Sequence, residues 1–246
     1  MLTRSWIGND VVDLAEPGVT GKELDRRFMA RVFTPEERER ILAAAAPTIA
    51  LWKTWSAKET AFKIASKLRE GLVFAHRQFE VVPEDGIEPE RMAGEALGHW
   101  ASVQFEDLEI KVRWESARDY VHCIGQLAKA GEGPTLIDWE RLKTPRRLLS
   151  DVARENLVVP GASLSHAERA SVYSTASERA RLLARRLMDR WEQRLEGAEI
   201  VRLWRSRGWS APVISREGLP VAGFDVSLSH DGRFVAAALA GPGSEP

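Results

Sequence analysis

The sequence predicts an α+β fold arranged as a pseudo-dimer, two similar halves of one chain that each pack helices on a small antiparallel sheet. Three observations lead there. Segments such as LEIKVRW and YVHCIGQLA alternate with period two and read as paired strands. Leu51 to Lys67 and Ser177 to Leu195 carry apolar residues at helical spacing. These elements also come twice in the same order: the helix TWSAKETAFKIASK is answered loosely by STASERARLLARRL, with Ser177 and Leu182 where Lys58 and Lys63 stand, and the hairpin WESARDYVHCIG by DVSLSHDGRFVAAAL. The polar, glycine-containing stretch KAGEGPT, Lys129 to Thr135, predicts the junction, so the halves are 1–130 and 131–246 and the chain is expected to be a monomer with an internal two-fold.

Composition narrows the function. The chain has 246 residues, 44% hydrophobic and 29% charged, with a formal net charge of −1. That balance is ordinary for a globular protein and points to neither a nucleic-acid nor a membrane surface. MLTRSWIGND has no apolar signal core and no run approaches a membrane span, so a cytoplasmic location is expected. One cysteine, Cys123, excludes an internal disulfide and a thiolate zinc site. Any metal is expected to be hard and oxygen-bound.

In the first half, SWIGNDVVDL reads as a strand with Trp6, Asp10, Val12 and Leu14 on one face and Asp13 on the other. Asp10 is then a carboxylate on an apolar face, which requires a cation or strong hydrogen bonds unless it is a cap at the strand end; both readings stand. Thr34, Pro35 and Glu37 supply an N-cap, a first-turn proline and an N3 carboxylate for a helix ending near Pro47. The next helix carries Leu51, Trp55 and Phe62 as its apolar stripe and is closed by Gly71. Glu59 and Lys63 lie one turn apart on one face, which as a surface pair would stabilise the helix by only ~0.3 kcal/mol. LVFAHRQFEVV is expected to be a strand and GEALGHWASV a short helix, before the strand pair joined through Glu115 to Asp119.

In the second half, residues 138–170 are polar and helical in character, broken by Pro145 and Pro160. His166, in a SLSH string that repeats Ser227 to His230, is expected at a helix cap rather than at a ligand site. The helix from Ser177 carries Leu183, Leu187, Trp191 and Leu195 on one face, with arginines around the rest. EIVRLW and PVISREG are expected strands, GLP a turn, and FDVSLSHDGRFVAAALA a hairpin centred on Asp231 and Gly232. The tail PGSEP is expected to be disordered.

Taken in order, Gly8 and Asp10, then Phe33, Thr34 and Glu37, then Trp55, Lys58, Glu59 and Lys63, followed by GLVF and QFEV, resemble the holo-acyl-carrier-protein synthase branch of the 4'-phosphopantetheinyl transferase superfamily. The SLSHDG hairpin resembles a second signature of that superfamily, with GLP at 218–220 where many relatives have Gly-Lys-Pro. The resemblance omits about 135–165. It implies transfer of the phosphopantetheine arm of coenzyme A, as co-substrate, to a serine of an apo-carrier protein of acyl, polyketide or peptidyl type, with Mg2+ as cofactor. By the same resemblance Asp10 and Glu59 hold the metal and Glu59 and Lys63 are catalytic. Lys58, Lys63, Arg185, Arg186, Ser229 and His230 bind coenzyme A, with Arg185 or Arg186 at the 3'-phosphate. Each half lacks what the other keeps, so one functional set is expected to need both. Two other readings are a non-catalytic homologue that binds a carrier protein or coenzyme A, and a metal-dependent phosphohydrolase.

Overall fold

The computed structural model describes residues 5–83, 99–127, 135–143, 163–191, 194–205 and 208–242. Its strands are β1 (Trp6–Asp13), β2 (Glu80–Pro83), β3 (His99–Phe105), β4 (Leu108–Ala117), β5 (Tyr120–Leu127), β6 (Thr135–Lys143), β7 (Glu199–Val201), β8 (Trp204–Arg205), β9 (Gly208–Trp209), β10 (Val213–Arg216), β11 (Leu219–Pro220), β12 (Asp225–Asp231) and β13 (Phe234–Pro242). Its helices are α1 (Arg26–Val32), α2 (Pro35–Ala43), α3 (Pro47–Leu68), α4 (His166–Arg169) and α5 (Thr175–Asp189). The chain separates into one unit of Asn9–Leu127 and another of Met1–Gly8 with Ala128–Pro246. The fold is α+β, antiparallel sheets packed against helices in two halves.

In the Asn9–Leu127 unit the sheet order is β1-β5-β4-β3-β2. The helix signals act as the sequence predicts: the Thr34 side chain accepts from Glu37 N–H, Glu37 returns to Thr34 N–H, and Pro35 sits in the first turn. Pro47 opens α3 rather than merely ending α2, since a proline costs nothing where the N–H has no helical partner. The buried face of α3 is Ala57, Lys58, Thr60, Ala61, Ile64 and Ala65, whereas the predicted stripe residues Trp55 and Phe62 are half-buried. Close packing explains the small residues. A Cβ on Gly125 of β5 would fall 2.6 Å from the Thr60 methyl, so glycine lets the helix lie directly on the sheet.

Two expectations fail here. LVFAHRQFEVV is a strand only from Glu80, and His76–Gln78 is a 3-10 turn, because the Lys58 ammonium takes the His76 and Phe79 carbonyls that strand pairing would have used. His99–Val103, expected to be helical, lies in β3 between β2 and β4; pairing on both sides overrides local propensity. The rest of that expected helix, and residues 129–134 of the expected linker, lie outside the described residues.

In the other unit the ladders are β12-β13-β6, β11-β10-β7 and β8-β9. Residues 138–143, polar enough to suggest a helix, lie in β6, which runs along the whole of β13, so their polar character belongs to an edge strand. The helix from Ser177 stops at Asp189, yet Leu183, Leu187, Trp191 and Leu195 all reach one core with Ile200, Ile214, Val226 and Leu239. Ser165 and Glu168 cap α4 reciprocally, which confirms His166 as a cap neighbour. The tail 243–246 lies outside the described residues.

The two units repeat one plan. A first strand lies beside the last strand of a closing hairpin, a capping-box helix precedes a long helix, and that long helix covers the sheet. The buried spacing of Ala57, Lys58, Thr60, Ala61, Ile64 and Ala65 recurs as Ala180, Arg181, Leu183, Ala184, Leu187 and Met188. This register differs by one helical turn from the match read along the sequence, which set Ser177 and Leu182 against Lys58 and Lys63. By burial, Arg181 answers Lys58, Leu182 answers Glu59 and Arg186 answers Lys63. A buried carboxylate is repeated as well. Glu37 accepts from Val81 N–H of β2 and pairs with Lys58, and Glu168 accepts from Ile200 N–H of β7 and pairs with Arg185.

Candidate active site

The site begins with two elements that the sheet brings together. β1 carries Asn9, Asp10 and Asp13, all buried, and α3 crosses the same sheet with Glu59 and Lys63 one turn apart. The Lys63 ammonium donates to Asp10 Oδ1 at 2.9 Å and to the Asn9 carbonyl at 2.8 Å. The sequence-predicted residues Asp10, Glu59 and Lys63 therefore share one electrostatic neighbourhood. Asp13 has a turn role, its Oδ1 accepting from Ala15 N–H at 3.0 Å.

Glu59 is the perturbed group. Burial, then the negative charge of Asp10, push its carboxyl up to about 7, and Lys63 pulls only partly the other way. Two carboxylates thus act on each other with one ammonium between them, and a carboxyl that titrates near neutrality can take or release a proton under ordinary conditions. Cys123 nearby is buried and its thiol is pushed up by desolvation, which makes it an inert packing residue.

Lys58, expected at coenzyme A, belongs to the interior. Its ammonium lies 2.7 Å from Glu37 Oε2, both side chains are wholly buried, and its other protons go to the His76 and Phe79 carbonyls. With three protons and three acceptors it has none left to give a ligand. The sequence shows the capping box but not that the Glu37 Oε2 that accepts from Thr34 N–H also meets Lys58 of α3, while its second oxygen accepts from Val81 N–H of β2. Lys58 and Glu37 tie α2, α3 and the turn before β2 together, holding the turn of α3 that bears Glu59.

In the other unit, Ser229 is buried in β12 and His230 is part-exposed, its Nε2 3.2 Å from the Tyr173 hydroxyl. The histidine of the first hairpin, His122, lies instead on the return strand β5 and is buried. Arg185 is committed to Glu168 at 3.2 Å and to the Ala198 carbonyl at 2.9 Å. Arg186 pairs with Glu140 at 3.2 Å. Both arginines expected at the 3'-phosphate therefore have carboxylate partners. Sequence reasoning passed over Arg202, whose guanidinium is pulled down by burial while the Tyr173 phenol is the one group acting the other way, and whose Nε has no hydrogen-bond partner among the described residues.

This arrangement, a strand carboxylate and a helix carboxylate with a lysine on an antiparallel α+β scaffold, defines a class of site suited to chemistry on phosphate esters. Residues 7–124, just under half of the chain, match the family model of the 4'-phosphopantetheinyl transferase superfamily. No curated protein matches the chain.

Proposed function

We propose that the chain transfers the phosphopantetheine arm of coenzyme A to a serine of an apo-carrier protein, in a magnesium-dependent reaction. The observation that carries this reading is Glu59, half-buried with its carboxyl at about 7, beside Asp10 and Lys63 inside the matched residues 7–124. Asp10 and Glu59 fit a hard divalent cation, since they offer oxygen donors whose mutual repulsion a cation would relieve. When bound, Mg2+ supplies charge neutralisation at the diphosphate. Among the described residues no group of three or more acidic, histidine or cysteine side chains is arranged to hold a metal, which suits an ion that takes further ligands from substrate phosphates and water.

In the transfer, the serine hydroxyl oxygen of the carrier bonds to the phosphorus that bears the pantetheine arm. The bond from that phosphorus to the bridging oxygen breaks, and 3',5'-adenosine bisphosphate leaves with the electron pair. Glu59 takes the serine proton, directly or through water. Lys63 faces the charge that grows on the phosphate oxygens. Ser229, His230 and Arg185 or Arg186 are the residues that the resemblance assigns to coenzyme A in the other unit, where Arg202 beside Tyr173 is a further guanidinium suited to a phosphate. Intact mass of apo-carrier proteins incubated with coenzyme A and magnesium tests the reading. Acyl, polyketide and peptidyl carriers are tried in parallel, and a gain of one phosphopantetheine arm on any of them is the expected result. Coenzyme A cleaved with no carrier modified would replace transfer by hydrolysis, and binding without turnover would leave a non-catalytic homologue.

A further inference from the structure

The plan shared by the halves extends to the charged residues. Lys143 at the end of β6 faces Phe234 at the start of β13, and Leu14, just after β1, donates to the carbonyl of Asp119, just before β5. Each first strand therefore meets its closing hairpin at the same point. Counting back the same three residues from Asp13 and from Lys143 sets Glu140 in the place of Asp10. The contacts agree: Asp10 pairs with Lys63 at 2.9 Å, and Glu140 pairs with Arg186, the residue that answers Lys63, at 3.2 Å.

Two differences separate the copies. Leu182, half-buried like Glu59, stands where the second carboxylate would be. Asp138 stands where β1 has Gly8, and Arg190 grips it through both oxygens at 2.6 and 2.7 Å while also reaching Glu140 at 3.2 Å. In the first copy two carboxylates act around one ammonium. In the second, two carboxylates, Asp138 and Glu140, are matched by two guanidiniums, Arg186 and Arg190.

We infer that the second half holds a silenced copy of the cation site, neutralised from within by Arg186 and Arg190 and lacking one ligand through Leu182, and that it becomes a site for a hard divalent cation when those changes are reversed. This rests on the reading of Asp10 and Glu59 as cation ligands. Manganese(II) titration of the full chain, with free ion read by electron paramagnetic resonance, tests it. Wild type should take up one ion and the Leu182→Glu, Arg190→Gln double variant two. Two ions on wild type overturn the inference, as does a folded double variant, judged by near-UV circular dichroism, that gains none. If the double variant does not fold, Leu182→Glu alone is read by the same criterion. No ion on wild type sinks the metal reading of Asp10 and Glu59 and the silenced copy with it, whereas one ion on wild type and no second on the folded variant sinks the silenced copy alone.

Discussion

In the first half Asp10 meets Lys63 with Glu59 one turn back along the helix, and in the second Glu140 meets Arg186 with Leu182 one turn back. The scaffolds agree in the first strand beside a closing hairpin, the capping box and the buried helix face, although one has a single five-stranded sheet and the other separate ladders. What differs is charge balance, which separates an ion pair that merely closes a surface from one that keeps a carboxyl near neutrality. The second half lets its arginines cancel its acids at exposed positions, where pairs contribute little. The first half buries an unmatched acid, a cost that makes sense where function requires it.

The strongest break of this comparison is at the acids themselves. Glu59→Gln should lower carrier-protein transfer by about 100-fold or more, within the range of a lost general base, whereas Glu140→Gln should leave the rate within about threefold; mass spectrometry of the carrier reads both. Equal losses would mean that the halves do not divide the work as their charges suggest. Next comes the buried pair. Glu37→Ala leaves the Lys58 ammonium without its counter-charge and should cost about 3–5 kcal/mol in denaturant unfolding. Glu168→Ala should cost less, since its partner Arg185 is partly solvated.

A smaller effect is linked to pH. The Glu59 carboxyl titrates at about 7 in the folded protein against an ordinary 4.5, so the folded state keeps its proton where the unfolded chain has lost it. Stability should therefore fall as pH rises from about 4.5 to 7 and level off above that. Glu59→Gln should recover about 2 kcal/mol at pH 8, discounted for partial solvent exposure, and nothing at pH 4. Thermal melts at the two pH values decide this, and a variant that is less stable at pH 8 would contradict it.

Two further measurements sharpen the contrast. His230→Ala should weaken coenzyme A binding about tenfold, or ~1.4 kcal/mol, by calorimetry; unchanged affinity would remove the SLSHDG turn from the nucleotide. Arg190→Ala should cost under about 1 kcal/mol in denaturant unfolding, because the pair with Asp138 is exposed. A larger loss would give the second copy a structural role.

Much of the fold could be read along the chain because its signals are local. Thr34 with Glu37 and Ser165 with Glu168 announce helix starts within four residues, and the hairpins announce themselves by alternation around a polar turn. Where neighbours in space outweighed neighbours in sequence, the reading failed. His99–Val103 became strand because β2 and β4 flank it, and residues 138–143 did so because β13 runs beside them. The repeat was visible as well, but one turn out of register, since helical sequence similarity slides by whole turns whereas burial against a sheet does not.

For the site, the sequence by itself determined which chemical groups are present: an acid on the first strand, Glu59 and Lys63 one turn apart, and a serine-histidine turn near the end. Tertiary structure alone decided which of them are available. Lys63 reaches Asp10 across 53 positions of sequence. Lys58, the immediate neighbour of Glu59, is turned inward and spent on Glu37, and Arg185 and Arg186 are spent on Glu168 and Glu140. The physical reason is that a side chain's charge is set by its own covalent structure, whereas its partners, its solvation and the proton affinity that follows depend on strand register and helix rotation, which no single segment encodes.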